Sequence, residues 1–100
     1  MTSTDRAGAK PALTITYCRI CHFRPRALWL AEELLHTFEE YISGVTLVPG
    51  GGGQFDIHLD GELLFANQAA GRFPETRELR ELIAGRIEGA PRPRHATPAG

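Results

Sequence analysis

The stretch Leu13-Thr14-Ile15-Thr16-Tyr17-Cys18-Arg19-Ile20-Cys21-His22-Phe23-Arg24-Pro25 decides the reading of this 100-residue chain. Leu13, Ile15 and Tyr17 alternate with Thr14 and Thr16, a period of two rich in β-branched residues, which predicts a half-buried strand. The chain's 2 cysteines follow at once, so the pair belongs at the C-terminal end of that strand. A helical pattern comes next. Ala27, Leu28, Ala31, Leu34, Leu35 and Phe38 fall on one face at 3.6-residue spacing, with Glu32, Glu33, His36, Glu39 and Glu40 outside it. Pro25 sits near the start, where its missing N–H is tolerated. Trp29 is placed nearly opposite the apolar stripe.

Gly44 closes the helical region or its turn, and Val45 to Val48 predict a second short strand. Pro49 and Gly50 to Gly53 read as an irregular loop. Phe55, Ile57 and Leu59 alternate with Asp56, His58 and Asp60 to give a third strand. Asp60-Gly61 is a hairpin signal, because both central residues of a type I′ turn take positive φ. Glu62 to Ala66 is the returning strand. Asn67 to Pro74 reads as a loop, and Leu79, Leu82, Ile83 and Ile87 mark a second amphipathic helix.

The predicted order is β-α-β-β-β-α, an α/β fold with no internal repeat. A strand–helix–strand unit of this length implies a crossover between parallel strands, and the hairpin adds antiparallel ones. Strands that alternate, instead of running continuously apolar, belong to a sheet covered on one side. Both helices are therefore expected on one face of a four-stranded mixed sheet, leaving Thr14, Thr16, Asp56 and His58 on the other. That open face is a predicted surface for homo-oligomerisation.

A Cys-x-x-Cys pair between a strand and a helix is the arrangement that thiol redox chemistry uses. Two intervening residues let the chain turn so that the sulfurs meet. Unpaired N–H groups at the helix start, the Arg19 charge and a protonated His22 all favour a thiolate. Lowering a thiol pKa from about 8.5 to about 6.5 raises the thiolate fraction at pH 7 roughly 25-fold, while the loss of nucleophilicity takes back roughly 6- to 10-fold. Such placement tunes redox poise more than raw reactivity. A lone pair of this kind is also half of a zinc site, with His22 or His58 to complete it, although structural zinc usually takes two such pairs. Two unremarkable core cysteines are the third alternative.

Composition narrows the function classes. The net charge is −1 and the basic residues are scattered, apart from Arg92, Arg94 and His95 in a Pro/Gly/Ala-rich tail, so neither nucleic acid nor a membrane surface is an expected partner. Met1 to Pro11 lacks the apolar core of an export signal, and the apolar stretch Ala27 to Leu35 is broken by Glu32 and Glu33 and is too short for a bilayer. A cytoplasmic location follows as an expectation, and in that reducing setting a lone cysteine pair points to catalysis, sensing or metal binding. No paired carboxylates, no Ser/His/Asp set and no metal-ligand spacing stands out. The expected layout is a flexible segment over 1–11, one domain over 12–88 and a disordered tail over 89–100.

Tyr17-Cys18-Arg19-Ile20-Cys21, with Pro25 and a Leu-rich helix after it, resembles the selenoprotein W-like family of thioredoxin-like proteins. The resemblance continues through the Phe55 to Phe65 hairpin and Gly71 to the last helix, about Leu13 to Ile87. It implies a thioredoxin-like fold and a thiol–disulfide redox role at Cys18 and Cys21, with glutathione or protein thiols as partners and no bound organic cofactor. In selenocysteine-containing members the position matching Cys21 carries the selenium, which makes Cys21 the reactive atom. By thioredoxin logic the first cysteine, Cys18, is the attacker instead. Thioredoxins proper also carry a cis-proline opposite the cysteines, and here Gly50-Gly51-Gly52-Gly53-Gln54 occupies that place. This run is expected to be a flexible connector, the alternative being a loop that lets a partner backbone come close.

Trp29 is the candidate partner contact, unless a neighbouring loop covers it. The competing functional class is a non-enzymatic interaction module, in which the cysteine pair switches a surface around Trp29 or the open sheet face.

Overall fold

A computed structural model describes residues 10–90. The elements run β1 (Ala12–Cys18), α1 (Arg24–Phe38), β2 (Gly44–Gly50), β3 (Phe55–Leu59), β4 (Glu62–Ala66), α2 (Asn67–Ala70) and α3 (Thr76–Ala84). The sheet order is β2-β1-β3-β4, with β1 and β2 parallel across the α1 crossover and the other pairs antiparallel. The four-stranded mixed α/β sheet expected from the alternation is present. Leu13, Ile15 and Tyr17 of β1 and Phe55, Ile57 and Leu59 of β3 form one buried cluster with α1 and α3, so both longer helices cover the same face.

The β1–β3 register pairs Leu13 with Leu59, Ile15 with Ile57 and Tyr17 with Phe55, which keeps both apolar sets on the covered side. Thr14 faces His58 and Thr16 faces Asp56 in the same register, and these four are only partly buried. The hairpin turns as its sequence dictates: Asp60 has φ 52° and Gly61 has φ 87°. Asp60 also accepts the Ala12 N–H through Oδ1 at 2.9 Å, which ties the hairpin to the start of β1.

Four expectations are corrected. The buried stripe of α1 is Ala27, Leu30, Leu34 and Phe38, whereas Leu28 is 52% exposed. The helix is rotated because Leu30, and not Leu28, lies over the sheet. Pro49 and Gly50 are not loop: they extend β2 and pair with Tyr17 and Cys18. Pro49 is tolerated there because β2 is an edge strand, where a missing N–H removes no ladder bond. The segment after β4 is not wholly a loop, since Asn67–Ala70 forms the short α2. Ile87 lies beyond α3, although it still packs against the core.

The helices are tied to each other and to their own starts by polar contacts. Arg80 of α3 donates to Glu33 Oε1 at 3.0 Å and to Thr37 Oγ1 at 3.1 Å, both on α1. Glu75 and Glu78 form a capping box at the start of α3, and Arg72 closes on the Glu78 carboxylate with two bonds of 2.9 and 2.8 Å. Of the segments expected to be flexible or disordered, 1–9 and 91–100 lie outside the described residues. Of the described residues at their inner ends, Pro11 accepts the Ser43 N–H at 2.8 Å, and Ala90 packs against the core. Among the described residues no helix is long and apolar enough to cross a membrane.

Candidate redox site at the strand–helix turn

Cys18 is the last residue of β1 and is fully buried. Its backbone N–H donates to Gln54 O at 2.7 Å, and the next N–H, that of Arg19, donates to Gly50 O at 3.1 Å. Residues 19–22 then turn, with His22 in the left-handed region at φ 62°. Cys21 lies on this turn, is partly exposed and forms a disulfide with Cys18 across a Cα–Cα distance of 5.4 Å. That separation lies in the range usual for disulfides.

The turn precedes the helix instead of opening it. Phe23 is the N-cap, has no side-chain cap bond, and its carbonyl accepts the Ala27 N–H at 3.0 Å. Both sulfurs therefore belong to residues before the helix. Arg19 and His22, chosen from sequence to support a thiolate, are both exposed on this turn.

A pocket of about 310 Å³ opens beside the disulfide, lined by Tyr17, Arg19, His22, Arg24 and Pro25. These residues flank the two cysteines in sequence. Trp29, the candidate partner contact, is 56% exposed, so no loop among the described residues covers it. It is joined on the surface by Leu28, and Ile20 within the Cys turn is 70% exposed.

Three supports of the site carry no local sequence signal strong enough to name them. The first is Gln54, whose carbonyl holds Cys18 and whose side chain donates to Asp56 Oδ2 at 2.8 Å. Strand alternation contained this: once Tyr17 pairs with Phe55, Gln54 must lie opposite Cys18. The second is α2. Asn67 donates through Nδ2 to Gly53 O at 3.2 Å and Gln68 donates through Nε2 to Gly52 O, while Gln54 N–H closes a turn onto Gly51 O at 3.1 Å. The glycine run is thus a tethered loop that holds the Cys turn, which corrects the expectation of a flexible connector. Gly50 packs closely, since a Cβ there would meet Gln54 Oε1 at 2.5 Å and Thr16 Cγ2 at 3.0 Å, so a larger residue would have to displace the end of the Gln54 side chain.

The third is an aromatic cluster. Phe23 and Phe73 meet edge to face with ring centroids 4.9 Å apart, Phe55 and Phe73 at 5.3 Å, and Phe23 and Phe55 at 6.2 Å. The Arg26 guanidinium lies 4.0 Å from the Phe73 ring centroid. The residue that ends the Cys turn is therefore packed against the sheet and the loop before α3.

Comparison with known proteins matches this architecture. A family model described as the Rdx family covers residues 12–85. The mouse (Mus musculus) protein migration and invasion enhancer 1 is 33% identical over 87 residues, 85% of this chain and 72% of that protein. Its bovine (Bos taurus) counterpart is 31% identical over 81 residues, covering 79% and 67%. Among solved structures, a selenoprotein W-related protein from Vibrio cholerae superposes with a TM-score of 0.74 at 39% identity, over 76% of this chain and 95% of that one. A protein from Bordetella parapertussis does so at 0.75 and 40% identity, over 77% and 98%. With the model spanning the sheet, both longer helices and the Cys18–Cys21 disulfide between β1 and α1, the chain belongs to the Rdx family of selenoprotein W-related, thioredoxin-like proteins.

Proposed function

We propose that the protein is a thiol–disulfide exchange protein of the cytoplasm in which Cys21 is the sulfur that meets the partner. One observation carries this reading: Cys18 is fully buried at the end of β1, whereas Cys21 is partly exposed on the turn. An incoming thiolate attacks Cys21 Sγ, the Cys18–Cys21 bond breaks, and Cys18 leaves as a thiolate that takes a proton from solvent. A second thiolate then attacks the partner sulfur of the mixed disulfide and releases Cys21. The pair ends reduced and the two partner thiols end joined, with two electrons transferred. In the opposite direction Cys21 attacks a partner disulfide and Cys18 resolves the adduct.

Glutathione or protein thiols serve as partners in this reading, and no bound organic cofactor is called for. Arg19 and His22 stabilise the thiolate, and Trp29 contacts the partner. Association between copies through the open face around Thr14, Thr16, Asp56 and His58 is a separate part of the proposal, and a strictly monomeric protein in concentrated solution removes it.

A second reading is favoured by the exposed Ile20, Leu28 and Trp29 beside the turn: a redox-switched interaction module without turnover. Single-cysteine variants and turnover assays separate the two. Cys18→Ser is expected to accumulate a stable mixed disulfide with a thiol probe, and Cys21→Ser is not. Trapping only in Cys21→Ser overturns the assignment of the attacker. Repeated turnover of a disulfide by the wild type with glutathione supports exchange, and one partner-affinity change per oxidation without turnover supports the switch.

A further inference from the structure

The segments that form the Cys turn and the loop that holds it carry no acidic residue. No Asp or Glu occurs from Lys10 to Ala31, nor from Val45 to Phe55, whereas Arg19, Arg24 and Arg26 fall within the first of these stretches. Arg26 is engaged on the Phe73 ring. Arg19 and Arg24 are exposed and, among the described residues, make no ion pair and no side-chain hydrogen bond. Both line the pocket beside the disulfide, with His22, Tyr17 and Pro25. Three other arginines are spent on intramolecular carboxylates, Arg72 on Glu78, Arg80 on Glu33 and Arg86 on Glu62, while the exposed Arg77 of α3 is not among the residues that line the pocket. Two guanidiniums left unpaired at the mouth of a pocket form a surface suited to carboxylates.

The surface does not end at the pocket. Pro25 lines it, and Leu28 and Trp29 stand three and four residues further along α1, neighbours of Pro25 on the helix exterior. They are more than half exposed. A cationic pocket therefore runs into an apolar strip, and together they extend a full helical turn beyond what the pocket alone would hold.

We propose that the partner is a polypeptide segment whose cysteine is flanked on one side by acidic residues and on the other by an apolar one. Its carboxylates sit against Arg19 and Arg24, and its apolar side chain lies on Leu28 and Trp29. Its thiolate attacks Cys21 Sγ and expels the Cys18 thiolate, so the chain's own disulfide is the oxidant. The inference rests on the exchange reading above and specifies its substrate class. Glutathione shares the carboxylate chemistry but carries no apolar side chain to lie on Leu28 and Trp29.

The test uses the oxidised wild-type protein and three thiols of matched thiol pKa: a cysteine peptide with acidic and apolar flanks, the same peptide with lysines in place of its acidic residues, and glutathione. Reduction of the Cys18–Cys21 bond is followed by quenching with an alkylating agent. The acidic peptide is expected to react about tenfold faster than the lysine peptide at low ionic strength. That preference is expected to collapse in about 0.5 M salt and in the Arg19→Ala/Arg24→Ala variant. Trp29 is the chain's 1 tryptophan, so its emission reports the contact directly. The emission of the Cys18→Ser protein is expected to shift when the acidic peptide is joined to Cys21, and not when glutathione is. Equal peptide rates that ignore salt overturn the proposal while leaving the exchange reading in place. Preference for the lysine peptide, or an unchanged Trp29 signal with the acidic peptide, also overturns it. No reduction by any of the three thiols overturns both.

Discussion

Replacing Phe73 by alanine removes the keystone of the aromatic cluster beneath the Cys turn. Phe73 is the ring that meets both others at short range, 4.9 Å from Phe23 and 5.3 Å from Phe55, and it also carries the Arg26 guanidinium. It is mostly buried, so the transfer contribution is about three-quarters that of a fully buried ring, roughly 1.5 kcal/mol. Two edge-to-face pairs add about 0.5–1 kcal/mol each, within the range measured for such pairs, and the cation–π contact adds about 0.5 kcal/mol at this exposed position. The expected loss is about 3.5 kcal/mol, which for a domain of this size lowers Tm by roughly 14–28 °C. Urea and thermal unfolding of the oxidised protein, followed by far-UV circular dichroism, measure it. Phe73→Leu, which keeps apolar volume but no ring, should lose about half as much. A double-mutant cycle between Phe23→Leu and Phe73→Leu should show coupling of about 0.5–1.5 kcal/mol. A loss below about 1 kcal/mol for Phe73→Ala, or zero coupling, refutes the claim that the cluster anchors the turn.

Reducing the Cys18–Cys21 disulfide opens a loop of four residues, for which the chain-entropy relation gives about 2 kcal/mol of lost stability, equivalent to a difference of about 40 mV between the native and unfolded couples. Urea titrations of the oxidised and reduced protein test this, and equal midpoints contradict it. At His22, held at φ 62°, substitution by valine should cost about 1–2 kcal/mol more than substitution by glycine, because a β-branched residue is disfavoured there; equal stabilities of the two variants contradict a left-handed turn. The Arg72 hydrogen bonds hold the Glu78 carboxyl below its ordinary value of 4.5. Its contribution is therefore present above that value and is lost as pH falls through the lower folded one. Glu78→Ala, which also removes the capping-box acceptor, should cost about 1 kcal/mol near neutrality, and the gap from wild type in urea midpoint should narrow at about pH 3. A gap that widens on acidification contradicts the pairing.

The parts legible in the sequence are those governed by local periodicity. Alternation in Leu13 to Tyr17 and Phe55 to Leu59 specifies strands with one buried face, and their antiparallel register follows. Asp60-Gly61 specifies its turn chemically, and both residues take the positive φ required. The face of α1 was not legible, because Leu28, Leu30, Leu34 and Leu35 offer two overlapping apolar stripes and only packing against the sheet selects the one with Leu30. Pro49-Gly50 suggests a loop by composition, and its strand conformation comes from pairing with β1.

At the site, Cys18, Cys21, Arg19, His22 and Trp29 could be chosen from residue type and spacing. Gln54, Asn67, Gln68 and the Phe23–Phe55–Phe73 cluster could not. They act through tertiary hydrogen bonds and ring contacts between segments 14 to 50 residues apart in sequence. The asymmetry of burial between the two cysteines is of the same kind. It arises from the Gln54 and Gly50 carbonyls that fix Cys18 and Arg19 at the strand end while the turn carries Cys21 outward.

The most direct measurement is the redox equilibrium of the Cys18–Cys21 couple. The protein is poised in glutathione buffers of stepped potential, trapped by alkylation and weighed by mass spectrometry. Thiol–disulfide exchange as the function predicts a reversible two-electron transition between about −220 and −320 mV, the range of the cytosolic poise. A pair that stays fully oxidised or fully reduced across that range contradicts it.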